Sequence, residues 1–463
     1  MRREALSHPL AIAGVVVTTA SAVVFITLVI AILAGLLNDP YAGLVVFVAI
    51  PAAFLLGLLL IPIGIALRRR RLARDPNAVF EWPVVDFRRA GIRRTALLVA
   101  ALTAVNAVVV LLAGYGGLRW MESPSFCGQV CHAPMQPQYT AWRNGPHARV
   151  ACVSCHIGEG PAALVHAKLS GLRQLAQVTT GSYPKPIPPG AGMRPGAQAR
   201  TCVGCHQPGR RVGDRIRVIR EYADDETNAE TTTVLQLHLS GASSSGRAIH
   251  WHADPGIRIE YVATDAERQT IPFVRVTDAK GQVKEYVTPH TADQVIRATD
   301  RRSMDCVDCH NTVGHPISAT PERAVDQAIG ASLVSRDLPF ARREGLRLLK
   351  TSYATQDAAE RAIDRGLRSF YRSQGSRSGD EDKLTRAVGA LQDLYRRNVF
   401  PTMNVTWGSY PDNGGHVTSS GCFRCHDDSH QARDGSTIRA DCEYCHKQIE
   451  SAPVALAPPI LVH

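Results

Sequence analysis

All twelve cysteines of this 463-residue chain fall into six pairs, and each pair is followed at once by a histidine. Five of the six read C-x-x-C-H: Cys152 and Cys155 with His156, Cys202 and Cys205 with His206, Cys306 and Cys309 with His310, Cys422 and Cys425 with His426, and Cys442 and Cys445 with His446. The first motif, Cys127 to Cys131 with His132, carries one extra residue between its thiols. Two thiols at such spacing can add across the two vinyl groups of one haem, and the next residue can then turn its imidazole onto the iron. A single motif is a weak signal, because a zinc knuckle or a redox dithiol can use it. Six motifs with no cysteine left over are a strong one, since disulfides closed inside each C-x-x-C would staple nothing useful in an exported chain. The expectation is six covalently bound c-type haems, each with its iron.

Six irons held on both faces need six further ligands. Of seventeen histidines, eleven lie outside the motifs. His8 and His463 read as surface residues, and His238 and His290 are as easily bystanders as ligands. His147 stands in Gly-Pro-His before the second motif, His315 in His-Pro after the fourth, and His416 and His430 bracket the fifth. His250 and His252 are two apart on an expected strand, where both face one side, so one of them is expected to ligate. Met135, three residues after His132, suggests methionine ligation of the first iron, which would raise its potential.

Hydrophobic residues make up 45 % of the chain, and three long apolar runs crowd its first quarter: Leu10–Leu37, Leu44–Leu67 and Thr95–Leu118. Each reaches the roughly 20 residues needed to cross a hydrocarbon core of about 30 Å, and none has an interior charge. Arg2 and Arg3 precede the first run, Arg68–Arg71 end the second, and Arg74, Arg88, Arg89, Arg93 and Arg94 fill the segment before the third. By the positive-inside rule the N-terminus and this segment are cytoplasmic, and everything past about Leu118 is on the far side of a bacterial inner membrane. The net charge of +11 is therefore a topology signal directed at anionic lipid, and nucleic acid is not an expected partner.

The expected fold class is a membrane-anchored multihaem cytochrome c. Three transmembrane helices over 1–118, with an Arg-rich cytoplasmic loop at 68–94, precede a mainly α and irregular haem-wrapped periplasmic region. Residues 119–211 are expected to carry haems one to three. Residues 212–300 alternate apolar and polar in short segments (Asp214–Tyr222, Thr231–Leu239, Arg247–Ala253, Gly256–Ala263, Ile271–Val276, Val283–Thr288) and read as a small antiparallel β-insertion that supplies a distal histidine. Residues 301–463 are expected to be helical around haems four to six, with one helix starting at Pro321 and another over Asp382–Arg397.

Ser125-Phe126-Cys127, Cys131-His132 with Met135, Tyr139-Thr140-Ala141, Gly145-Pro146-His147, Cys152–Gly158, Lys168–Gly171 and Arg194-Pro195 together resemble the NapC/NirT family of membrane-bound quinol dehydrogenases. Ile249–His252, Cys309-His310-Asn311 with His315, Phe400–Met403 and Trp407 through His416 resemble its larger branch, the inner-membrane multihaem cytochromes linked to extracellular electron transfer. The resemblance implies a menaquinol site beside the first haem, with Met135 as iron ligand and Lys168 directed at the quinol. The short members place an acidic residue about two turns past that lysine, where this chain has Gln174, Leu175 and Gln177. Three spans, six motifs and the β-insertion also set it apart from them. The implied activity is menaquinol oxidation, with electrons passed to periplasmic cytochromes or other redox proteins in anaerobic or extracellular respiration. Two rivals remain: a conduit subunit that only relays electrons inside a larger complex, and a terminal reductase, which would need an iron with an open face.

Overall fold

The computed structural model describes residues 9–33, 45–72, 88–130, 132–157, 161–189, 201–206, 213–239, 248–298, 300–375 and 381–453. The basic residues Arg2, Arg3 and Arg74, Cys131, Arg194-Pro195, and His8 and His463 lie outside the described residues. The chain divides into two compact units, Met1–Val130 and Cys131–His463.

In the first unit, helices Pro9–Leu33 and Ile50–Leu72 pack side by side, the second preceded by a wide turn at Val45–Ala49. Small residues make that approach possible. A Cβ on Gly14 would lie 2.7 Å from the Gly57 carbonyl, and one on Gly64 would lie 2.5 Å from the Ala11 nitrogen. Both helices contain stretches long and apolar enough to cross a membrane, Pro9–Leu28 and Ile50–Leu67. Val16, Leu55 and Leu59 point outward and are exposed, a surface suited to lipid. The third apolar run lies within a 32-residue helix, Ala90–Met121, which spans about 48 Å at 1.5 Å per residue. Past its end the chain turns sharply, and the Trp120 and Phe126 rings meet edge to face at 4.7 Å. Cys127 is therefore folded back against the end of that helix.

The second unit has a helical half and a β half. Helices Pro321–Gly330, Ala341–Leu349, Gln356–Ser373 and Glu381–Asn398 surround a core that includes Val325, Ile363, Leu367, Leu391 and Tyr395. The first helix starts where its proline implies, with Thr320 accepting from the Arg323 N–H. Thr355 caps the third in the same way through Ala358. The middle two helices are amphipathic, each with one buried face. Ile363 has no exposed surface, so Ile363→Val should cost about 0.5–1.5 kcal/mol, measured as a loss in chemical-denaturation stability.

Strands β1 (Arg215–Tyr222), β2 (Glu230–Leu237), β3 (Arg258–Val262), β4 (Phe273–Thr277) and β5 (Val283–Val287) form where the alternation places them. Arg247–Ala253 does not make a strand: its described part is a 3-10 turn, Ile249–Ala253. Two short segments, β6 (Arg302–Ser303) and β7 (Gln431–Ala432), flank a five-stranded sheet in the order β6-β3-β4-β5-β7. A separate three-stranded sheet runs β1-β2-β8, where β8 (His446–Pro453) comes from the end of the last motif. The β segment is thus interleaved with the C-terminal segment, since β7 and β8 both come from beyond residue 430.

Candidate functional site

Each described motif makes a tight turn that carries its histidine out of the attachment loop. Cys152–His156 and Cys306–Cys309 are single helical turns, while Gly421–Arg424 and Cys442–Tyr444 are 3-10 turns. The turn at Cys306 is set by a reciprocal cap: Asp305 accepts from Val307 N–H and Asp308 accepts from Asp305 N–H at 2.8 Å. Gly421, at φ +48°, lies against the Gly415 carbonyl, where no Cβ could fit.

Opposite each of these five motif histidines stands a second histidine. The ring centroids are 6.1 Å apart for His156 and His315, 6.0 Å for His206 and His147, 6.3 Å for His310 and His250, 5.9 Å for His426 and His252, and 6.1 Å for His446 and His416. A metal–imidazole bond is about 2 Å long, so two imidazoles trans on one iron place their centroids about 6 Å apart. Five pairs at that separation, each beside two cysteines, fit a haem ligated by two histidines.

Hydrogen bonds orient the rings. His147 Nδ1 lies 3.1 Å from the Val313 carbonyl, His315 Nδ1 2.9 Å from that of Gln138, His252 Nδ1 2.7 Å from that of Ile249, and His426 Nδ1 3.0 Å from that of Arg439. A carbonyl only accepts, so each Nδ1 carries the proton and each Nε2 keeps its lone pair for a metal. Burial also holds His156, His252, His310, His315 and His446 below the usual imidazole range, which favours the neutral, ligating form.

The 3-10 turn explains why two histidines that share one side on a strand diverge here. At three residues per turn, His250 and His252 are separated by about 120° around the axis, so one faces His310 and the other His426. His430 is arranged differently from the ligand expected of it. It is buried, with Nδ1 2.8 Å from Asp427 and Nε2 2.6 Å from the Ile271 carbonyl, which leaves no lone pair for iron. His238 pairs with Asp214 at 3.0 Å.

The motifs are also neighbours in chain order. Burial first, then the charges of Cys306 and Cys155, push the Cys202 thiol up to about 11. Burial likewise raises Cys309 to about 11 and Cys445 to about 11, and Cys422 adds to both. Thiols of motifs two and three, three and four, four and five, and five and six thus feel one another's charge.

The candidate quinol residues are less closely gathered. Met135 is half-buried in the His132–Arg143 helix, while the His132 ring lies outside the described residues. Lys168 is half-buried on the Pro161–Thr180 helix and makes no ion pair among the described residues. Gln174 is exposed and donates to Ser170 Oγ at 3.3 Å. Six residues apart, Gln174 and Lys168 stand about 120° around the helix from each other and share no face. Sequence reasoning missed Asp308 and Arg424, which sit inside motifs at variable positions and are both buried. A charged residue between the thiols was the only available signal.

Residues 90–186 match the NapC/NirT cytochrome c family, N-terminal region. Over 422 residues the chain is 37 % identical to Cytochrome c-type protein ImcH of Geobacter sulfurreducens (strain ATCC 51573 / DSM 12127 / PCA), a match covering 89 % of this chain and 82 % of that protein. No solved structure matches.

Proposed function

Because the chain belongs to the NapC/NirT-type membrane-anchored multihaem cytochromes c, we propose that it oxidises menaquinol at the inner membrane and passes the electrons through six haems to periplasmic cytochromes or other redox proteins. The observation that carries this reading is the set of five facing histidine pairs, each beside its own cysteine pair. Haem, when bound, supplies one-electron redox chemistry. The protein supplies everything else. Cys152/Cys155, Cys202/Cys205, Cys306/Cys309, Cys422/Cys425 and Cys442/Cys445 anchor five groups. His156 with His315, His206 with His147, His310 with His250, His426 with His252, and His446 with His416 would hold the irons. Five irons each held by two histidines would leave no site for substrate, which weighs against the terminal-reductase reading.

Cys127 and Cys131, with His132 and Met135, hold the sixth group. Cys127 follows soon after the Ala90–Met121 helix, so a lipid-soluble quinol can reach this haem if that helix is the third membrane span. Lys168 donates to the quinol oxygen, as the family resemblance implies. Gln174 faces away from Lys168 and carries no proton-accepting charge, so a different group or water takes the proton. Thiols of successive motifs lie close enough to feel one another's charge, which supports a route that runs from motif two to motif six. The orientation is N-terminus inside with the haem region in the periplasm, as the arginine bias favours.

The first test is stoichiometry. Intact mass and a pyridine haemochrome assay should both return six haems per chain, and menaquinol analogues should reduce them. A count of five would exclude the widely spaced Cys127/Cys131 pair. Full haem loading with no reduction by quinol analogues would favour the conduit reading.

A further inference from the structure

The fourth and fifth motifs carry a charged residue each between their cysteines, Asp308 and Arg424, and both are buried at 1 % and 7 % exposure. Asp308 is neutralised locally. Its Oδ1 accepts from Tyr261 at 2.7 Å and from Arg302 Nε at 2.9 Å, with Arg268 also nearby. Arg424 is held in another way, entirely by backbone. Its Nη2 donates to the Asp308 carbonyl at 2.6 Å, Nε to the Gly421 carbonyl at 2.8 Å, and Nη1 to the Arg268 carbonyl at 3.1 Å. Arg268 has a positive φ of 56°, in a turn that Asp265 stabilises by accepting from Gln269 and Thr270.

Three carbonyls solvate the guanidinium, and among the described residues it makes no ion pair. A charge this deep, paired with no carboxylate, acts over a longer range than a surface charge, because little water screens it.

We propose that Arg424 is the positioning residue of the central relay: it clamps the fourth and fifth haem-attachment loops to each other and holds an unneutralised positive charge between them, which raises the reduction potentials of the haems on those loops. The bond to the Asp308 carbonyl ties the two motifs directly. A nearby cation stabilises the iron state that has gained an electron. These two haems therefore become the more easily reduced stretch in the middle of the route. The inference rests on the haem ligation proposed above and adds the device that sets potential and spacing at its centre.

Redox potentiometry of the whole, haem-loaded protein in detergent, followed by visible absorbance with electron paramagnetic resonance to monitor ligation, tests this. Arg424→Gln should shift the oxidised-to-reduced ratio of two haems toward oxidised by about tenfold at a fixed electrode potential, which is about 59 mV for a one-electron couple. Arg424→Lys keeps the charge and should remain near the original midpoints. Unmoved midpoints in a fully loaded Arg424→Gln protein would overturn the proposal, and so would equal shifts in the Gln and Lys variants. If Arg424→Gln does not load with haem, Arg424→Met carries the same test with the same expected downward shift, and unmoved midpoints would overturn the proposal. Absence of bis-histidine signals in the unaltered protein would overturn the ligation reading beneath it, a failure distinct from unmoved midpoints.

Discussion

A His252→Ala protein is expected to lose the second ligand of the fifth haem and of no other, turning one low-spin haem per chain into a high-spin one. His250→Ala should do the same to the fourth haem, and the double variant should show two. Electron paramagnetic resonance of the ferric protein, with carbon monoxide uptake by the ferrous form, counts them. The expectation follows from the 5.9 Å and 6.3 Å ring separations and from the divergence of the two side chains on the Ile249–Ala253 turn. Only one histidine would ligate if this segment were a strand, and the double variant would then match one of the singles. That result would sink the pairing.

Lys168→Ala should slow reduction by menaquinol analogues about ten- to a hundredfold, while dithionite reduction and the haem spectrum stay unchanged. A charge-assisted hydrogen bond to a quinol oxygen contributes roughly 1.5–3 kcal/mol when solvent is partly excluded. The half-buried position of Lys168, without an ion pair among the described residues, leaves its ammonium available for this bond. Wild-type rates across a range of quinol concentrations would move the entry point elsewhere and favour the conduit reading.

Much of this arrangement was legible in the residues alone. Covalent attachment dictates the cysteine spacing, so the motifs announce themselves, and membrane thickness dictates the long apolar runs. Five of the β segments follow a period of two, and Thr320-Pro321 marks a helix start in any context. The facing histidines are a different matter. His315 meets His156 from beyond the fourth motif, and His147 meets His206 from before the second, so no local spacing encodes either pair. His250 and His252 depended on whether a short segment was a strand or a 3-10 turn, which propensity decides poorly. His430 looks like a ligand by its distance from a motif, and only its burial between Asp427 and Ile271 shows what occupies its nitrogens. Arg424 is an ordinary surface-type residue until its three backbone partners are seen, two of them far away in sequence.

The crossing of ligands has a consequence for how such a chain is made. An exported polypeptide emerges from its N-terminal side, so on the proposed pairing the second motif reaches the attachment machinery long before His315 exists outside the membrane. His315 is fixed by the Gln138 carbonyl, a partner 177 residues earlier, so this ligand settles only when distant parts of the chain meet. Attachment at the second motif and closure by His315 would therefore be separate events. At the far end β8 pairs with β2 in an antiparallel register, so that sheet too joins segments far apart in sequence. On the proposed pairing, a chain cut after the third motif would keep the Cys152/Cys155 pair while lacking His315, the side chain that faces His156.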